Sequence, residues 1–116
     1  MKIYLSTPVT SRPEKTYEEQ YKAAEKRVAK MKEIFSSKQN GPEKVYTFVS
    51  FADIVPPWNC TEAETMGRCI KAVIECDAIL MDENWLNSRG CRLEAEAASL
   101  YKKTLFHLSQ MTKQNI

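Results

Sequence analysis

The sequence predicts an α/β domain of three layers, α/β/α, of the Rossmann-like (flavodoxin-like) kind, with a parallel sheet of about four to five strands. Three observations carry that reading. Short runs rich in β-branched, aromatic or continuous apolar residues recur at Lys2 to Leu5, Val45 to Phe51, Ala78 to Met81 and Thr104 to Leu108. Longer stretches between them repeat apolar residues every three or four positions, the period of a helix with one buried face. Strand and helix alternate throughout, which within one sheet means parallel strands joined by helical crossovers.

The first strand leads into Ser6, Thr7, Pro8, Val9 and Thr10, a loop of small hydroxyl residues. Such a loop can offer N–H and hydroxyl donors to a ligand, or serve as an ordinary strand-to-helix turn. From Thr16 a helix is expected, with Tyr17, Tyr21, Ala24, Val28, Met31 and Phe35 as its buried stripe and Thr16 with Glu19 as a capping box. Ser36 to Lys44 closes it with turn formers. After the second strand, Asp53 to Cys60 reads as irregular, because Pro56 and Pro57 suit neither a helix interior nor a central strand. Trp58 there is either a flat surface for a base or sugar, or a hydrophobic plug. Thr61 and Glu64 cap the next helix, whose stripe is Met66, Cys69, Ile70, Val73 and Ile74.

Ala78 to Met81 suits a strand buried on both faces, and it ends at Asp82. Polarity changes there: Glu83 to Gly90 holds Asn84, Trp85, Asn87, Ser88 and Arg89, and Cys91 onward resumes a helical pattern through Leu93, Ala97, Leu100 and Tyr101. Residues 1–110 are expected to form one domain, with 111–116 as a loose tail.

At 116 residues the chain has the size of a single domain. A net charge of +2, with lysines scattered among glutamates, gives no basic face for a nucleic-acid polymer. No apolar run approaches the roughly 20 residues of a membrane span. Cys60, Cys69, Cys76 and Cys91 form no CxxC pair and His107 is the only histidine, so a zinc site is not expected. Reduced thiols in a cytoplasmic protein are the simplest account.

In an open parallel sheet, ligands gather beyond the carboxyl ends of the strands, where helix N-termini favour anions. Ser88, Arg89 and Gly90 fall at such a place, and Glu94 follows about one helical turn later. They frame a pocket, or they are a cap, a turn glycine and a carboxylate favoured by the helix dipole.

Three pieces together resemble the nucleoside 2-deoxyribosyltransferase-like superfamily, including its nucleotide N-glycosidase relatives and small uncharacterised bacterial and phage members. They are the opening KIYLSTP, the segment CDAIL, and Ser88, Gly90 and Glu94 in an S/D-x-G-x-x-x-E arrangement within NWLNSRGCRLEAEAA. The resemblance covers almost the whole chain. It implies a small-molecule nucleoside or nucleotide whose N-glycosidic bond is attacked by Glu94, with Asp82 as the second catalytic candidate. Ser6, Thr7, Pro8, Ser88, Arg89, Gly90 and Asn84 would bind phosphate or sugar, and Trp85 or Trp58 would stack the base. It also implies chemistry that needs no metal or organic cofactor, and a homodimer or larger homo-oligomer, with Asn115 as a donor to a neighbour's pocket. At the position where active relatives carry an Asp that assists the departing base, this chain has Cys69. A nucleotide-binding protein without turnover is therefore the alternative.

Overall fold

The computed structural model describes residues 1–9, 15–38, 46–55 and 61–112, the side chain of Thr112 excepted. Trp58, Thr10, Cys60 and Asn115 lie outside the described residues. Four parallel strands, β1 (Lys2–Ser6), β2 (Thr47–Ser50), β3 (Ala78–Met81) and β4 (Thr104–His107), stand in the order β2-β1-β3-β4. This is the opening of the doubly wound order 2-1-3-4-5, whose direction reverses between β1 and β3. The predicted three-layer α/β architecture is the one found.

Helix α1 (Tyr17–Lys38) lies on one face together with a short terminal helix, α5 (Leu108–Thr112); α3 (Glu62–Glu75) and α4 (Arg89–Leu100) pack against each other on the opposite face. The predicted stripe of α1 is buried at Tyr21, Ala24, Val28, Met31 and Phe35. Phe35 holds its ring edge-on to Phe48 of β2 and Phe106 of β4, so one side chain ties α1 to both outer strands. A buried aromatic of this kind contributes about 2–3 kcal/mol by burial alone. The Thr16 capping box forms as read, whereas at Thr61 only the N-cap bond is present among the described residues. Glu19 N–H donates to Thr16 Oγ1 and Thr16 N–H to Glu19 Oε1, while Glu64 N–H donates to Thr61 Oγ1.

Three local expectations are corrected. Phe51 is not the end of β2 but the start of a one-turn helix, α2 (Phe51–Ile54), since Asp53, three residues after Ser50, closes a capping box on it. Leu108 and Met111 likewise leave strand and tail for α5, where fully buried Leu108 joins the core. The third concerns α4, whose buried face is Cys91, Glu94, Ala95, Ala97 and Ala98, while Leu93, Leu100 and Tyr101 are exposed. Small side chains let α4 sit close to the sheet and α3, and that proximity brings Glu94 to β1.

Candidate functional site

Strand alternation sets out the site. Successive side chains of a strand point to opposite faces, so Tyr4 and Ser6 look toward α3 and α4 while Leu5 and Thr7 look toward α1. Tyr4 donates its phenolic hydroxyl to Glu94 Oε2 at 2.8 Å, and Ser6 donates its hydroxyl to Glu94 Oε1 at 2.6 Å. Glu94 is only 5% exposed. Burial pushes its pKa up to about 7, although the hydroxyls of Ser6 and Tyr4 and the Cys69 thiol favour the ionised form. Burial, reinforced by the adjoining carboxylate, in turn raises the Tyr4 hydroxyl well above its ordinary value, the Cys69 thiol to about 12 and the Cys91 thiol to about 11. Neither thiol is an effective acid or nucleophile there.

Glu94 lines a cavity of about 590 Å³ whose other walls include Tyr4, Thr7, Tyr17, Phe51, Met66, Cys69 and the segment Asn87–Cys91. A space of that size suits a small ligand. Ser88 is the N-cap of α4, accepting from Cys91 N–H at 3.2 Å. Among the described residues the N–H groups of Arg89 and Gly90, which lie between the cap and Cys91, have no acceptor. They are donors for an anion at the cavity wall. Gly90 is not a turn residue: it lies in the first turn of α4, and its role is spatial. A Cβ there would come within 3.3 Å of Met66 Sδ and take up room in the cavity. Ser88→Ala is expected to lower stability by about 1 kcal/mol in urea unfolding through loss of the cap. Ser88→Asp keeps the cap and should leave stability unchanged in the same measurement.

Asp82 follows Leu80 in the strand alternation and turns to the α1 face. There its carboxylate accepts two hydrogen bonds from Arg27 Nε and one from Arg27 Nη2, at 2.8–3.0 Å, one from Thr7 Oγ1 at 2.6 Å and one from the Glu83 N–H at 2.7 Å. The two carboxylates therefore line different cavities. Asp82, Asn84 and Pro8 border a second space of about 510 Å³, and Thr7, Val9 and Asn87 form a wall common to both. Trp85 lies against the His107 ring, with centroids 5.8 Å apart, and borders neither of these cavities.

Sequence reasoning passed over Tyr4 and Arg27. Tyr4 could have been found from its place two residues before Ser6 on a buried strand, because an inward-facing tyrosine needs a partner for its hydroxyl. Arg27 is the only arginine of α1, among lysines on the exposed face. Its fork suits a carboxylate, which the lysines' single ammonium does not match. Among the described residues no group of three or more His, Cys, Asp or Glu could hold a metal ion, and no helix is long and apolar enough to cross a membrane.

Fold and site together define a doubly wound α/β protein with a buried carboxylate in the crevice beyond the carboxyl ends of its strands. The chain belongs to the family described as "Domain of unknown function (DUF4406)", whose model it matches over residues 1–107. No curated protein matches it.

Proposed function

We propose that the chain cleaves or transfers the N-glycosidic bond of a nucleoside or nucleotide, with Glu94 as nucleophile. One observation carries this reading above the others. A carboxylate is buried at a cavity wall, both its oxygens are held by hydroxyls from the neighbouring strand, and its pKa is drawn up to about 7, so it is ionised near neutrality yet poorly solvated. The resemblance of KIYLSTP and of Ser88, Gly90 and Glu94 to the deoxyribosyltransferase-like superfamily supports the same chemistry.

In the proposed reaction one Glu94 oxygen bonds to the anomeric carbon as the carbon–nitrogen bond breaks, and the electron pair of that bond leaves with the base. Water or a second base then displaces the carboxylate from the sugar. Tyr4 and Ser6 orient the carboxylate, and their hydrogen bonds weaken as its charge is spent. Ser88 and the N–H groups of Arg89 and Gly90 hold a 5′-phosphate. Asp82 acts at a distance, by fixing Thr7 in the wall between the two cavities.

A second reading, a nucleotide-binding protein without turnover, is favoured by Cys69. Its thiol touches both Tyr4 and Glu94, and with a pKa of about 12 it gives the departing base little acid assistance. Purine and pyrimidine nucleosides and their 5′-monophosphates, assayed for thermal stabilisation and for released base, separate the two. The enzyme reading expects base release that rises with pH through about 7 as Glu94 ionises, disappears in Glu94→Gln, and increases about 100-fold in Cys69→Asp. Stabilisation without base release, in Cys69→Asp as in the unaltered chain, establishes the binding protein instead.

A further inference from the structure

The second cavity, of about 510 Å³, takes no part in the proposed bond cleavage. It opens where the sheet changes direction: Thr7 and Val9 follow β1, Asp82 and Asn84 follow β3, and the crevice between such strands is where open α/β sheets take ligands. Helix α1 closes its other side with Ala23, Ala24 and Arg27, which share one face of that helix. The alanines leave the room, and the arginine one turn on supplies a charge.

Charge separates this cavity from the first. Among the described residues its wall carries two cations, Lys15 and Arg27, against one carboxylate, Asp82, whereas the Glu94 cavity sets Arg89 against Glu62 and Glu94. Asp82 is moreover spent, because its oxygens are taken up by Arg27, Thr7 and the Glu83 N–H. Arg27 is held by that contact and by Glu83 at 3.1 Å. These bonds use Nε and Nη2 alone, and Nη1 has no acceptor among the described residues. Lys15 makes no ion pair among them either, and the carboxylate of nearby Glu19 is occupied by Thr16. The side-chain amides of Asn84 and Asn87, exposed at the rim, likewise have no partner among the described residues.

We propose that this cavity is a second binding site, for a small phosphate-bearing molecule, with Lys15 and Nη1 of Arg27 on the phosphate and the amides of Asn84 and Asn87 beside it. A phosphoryl group presents three oxygens to these donors, where a carboxylate presents two. A guanidinium already fixed by Asp82 loses little freedom in taking such a ligand. The space is that of a small molecule and not of a bare anion, so the phosphate carries a polar body that the amides can bond. The site does not rest on the glycosidic reading: it lies on the α1 face of the sheet, and Glu94 lines only the other cavity.

Nitrogen-15 NMR of the purified chain, titrated with inorganic phosphate and with ribose 5-phosphate at constant ionic strength, tests the site. Saturable shifts are expected at the amides of Ala23 and Ala24 and at the Nε–H of Arg27, with half-saturation below about 10 mM. Ribose 5-phosphate should bind at least about threefold more tightly than inorganic phosphate, because its sugar fills the remaining space. Lys15→Glu should weaken both at least about tenfold by reversing one of the two charges. Ala23→Leu should exclude ribose 5-phosphate by filling the room beside α1. Both positions are exposed, so the fold should persist, with the melting midpoint as control. The absence of any saturable shift up to about 50 mM overturns the proposal. So do shifts confined to residues 88–91, which put the phosphate at α4, and so does full affinity in Lys15→Glu. Ser88→Ala should leave the shifts at α1 unchanged, and no base release is measured, so failure here and failure of the glycosidic reading are told apart.

Discussion

Glu94→Gln is expected to make the protein more stable at pH 8 by about 3 kcal/mol, and to leave stability nearly unchanged at pH 4. In the unfolded chain Glu94 loses its proton near 4.5, whereas in the folded protein it keeps it until about 7. Between those values the unfolded state has released a proton that the folded state still binds, so stability falls as pH rises, and the loss is complete above about 7. Glutamine carries no charge to desolvate, and its amide can still pair with the oxygens of Tyr4 and Ser6. Urea unfolding of both proteins at several pH values measures the difference directly. A Gln variant that is less stable at pH 8 would mean that the two hydroxyls fully compensate burial, and Glu94 would then be an ordinary structural carboxylate. The expected result gives the destabilisation tolerated to keep a reactive carboxylate out of water, the usual conflict between stability and activity.

Arg27→Met is expected to lower stability by about 2–4 kcal/mol. Asp82 is 3% exposed, and without the guanidinium it keeps, among the described residues, the Thr7 hydroxyl and the Glu83 N–H as donors for a buried charge. The Arg27 side chain is itself about one-third exposed, which places the loss below that of a fully buried pair. Adding Asp82→Asn to Arg27→Met removes the stranded charge and should recover roughly half of the loss, a coupling that a double-mutant cycle isolates. Equal stability of Arg27→Met and the unaltered protein would show that water solvates Asp82 through the second cavity.

The sheet was legible because its strands are short and strongly apolar, and because period-3.6 segments separate them. The caps at Thr16, Thr61 and Ser88 were legible from local chemistry alone. What escaped was settled by packing. Leu93 and Leu100 have the composition of a core stripe, yet α4 turns its alanines inward, since only small residues admit Glu94 to within hydrogen-bond reach of β1. Sequence placed Glu94 at the ligand end of the sheet, but it could not show that Asp82, one residue beyond β3, belongs to the opposite face, because the parity of one strand relative to another depends on register. Ser50 and Asp53 did carry a readable signal for α2, masked by the prolines that follow.

β1 precedes the other three strands of the sheet and is a central one. Its neighbours β2 and β3 begin about 45 and 75 residues downstream, and Glu94 is 90 residues from Tyr4. Contacts at such separations form late, after the entropy of closing long loops has been overcome. During synthesis one edge of the strand must therefore wait for β2 and the other for β3, and it is most open to aggregation in that interval. The proton affinity of Glu94 is accordingly a clock for the end of folding: the carboxyl passes from an acid of pKa near 4.5 to one near 7 only when α4 has closed onto β1.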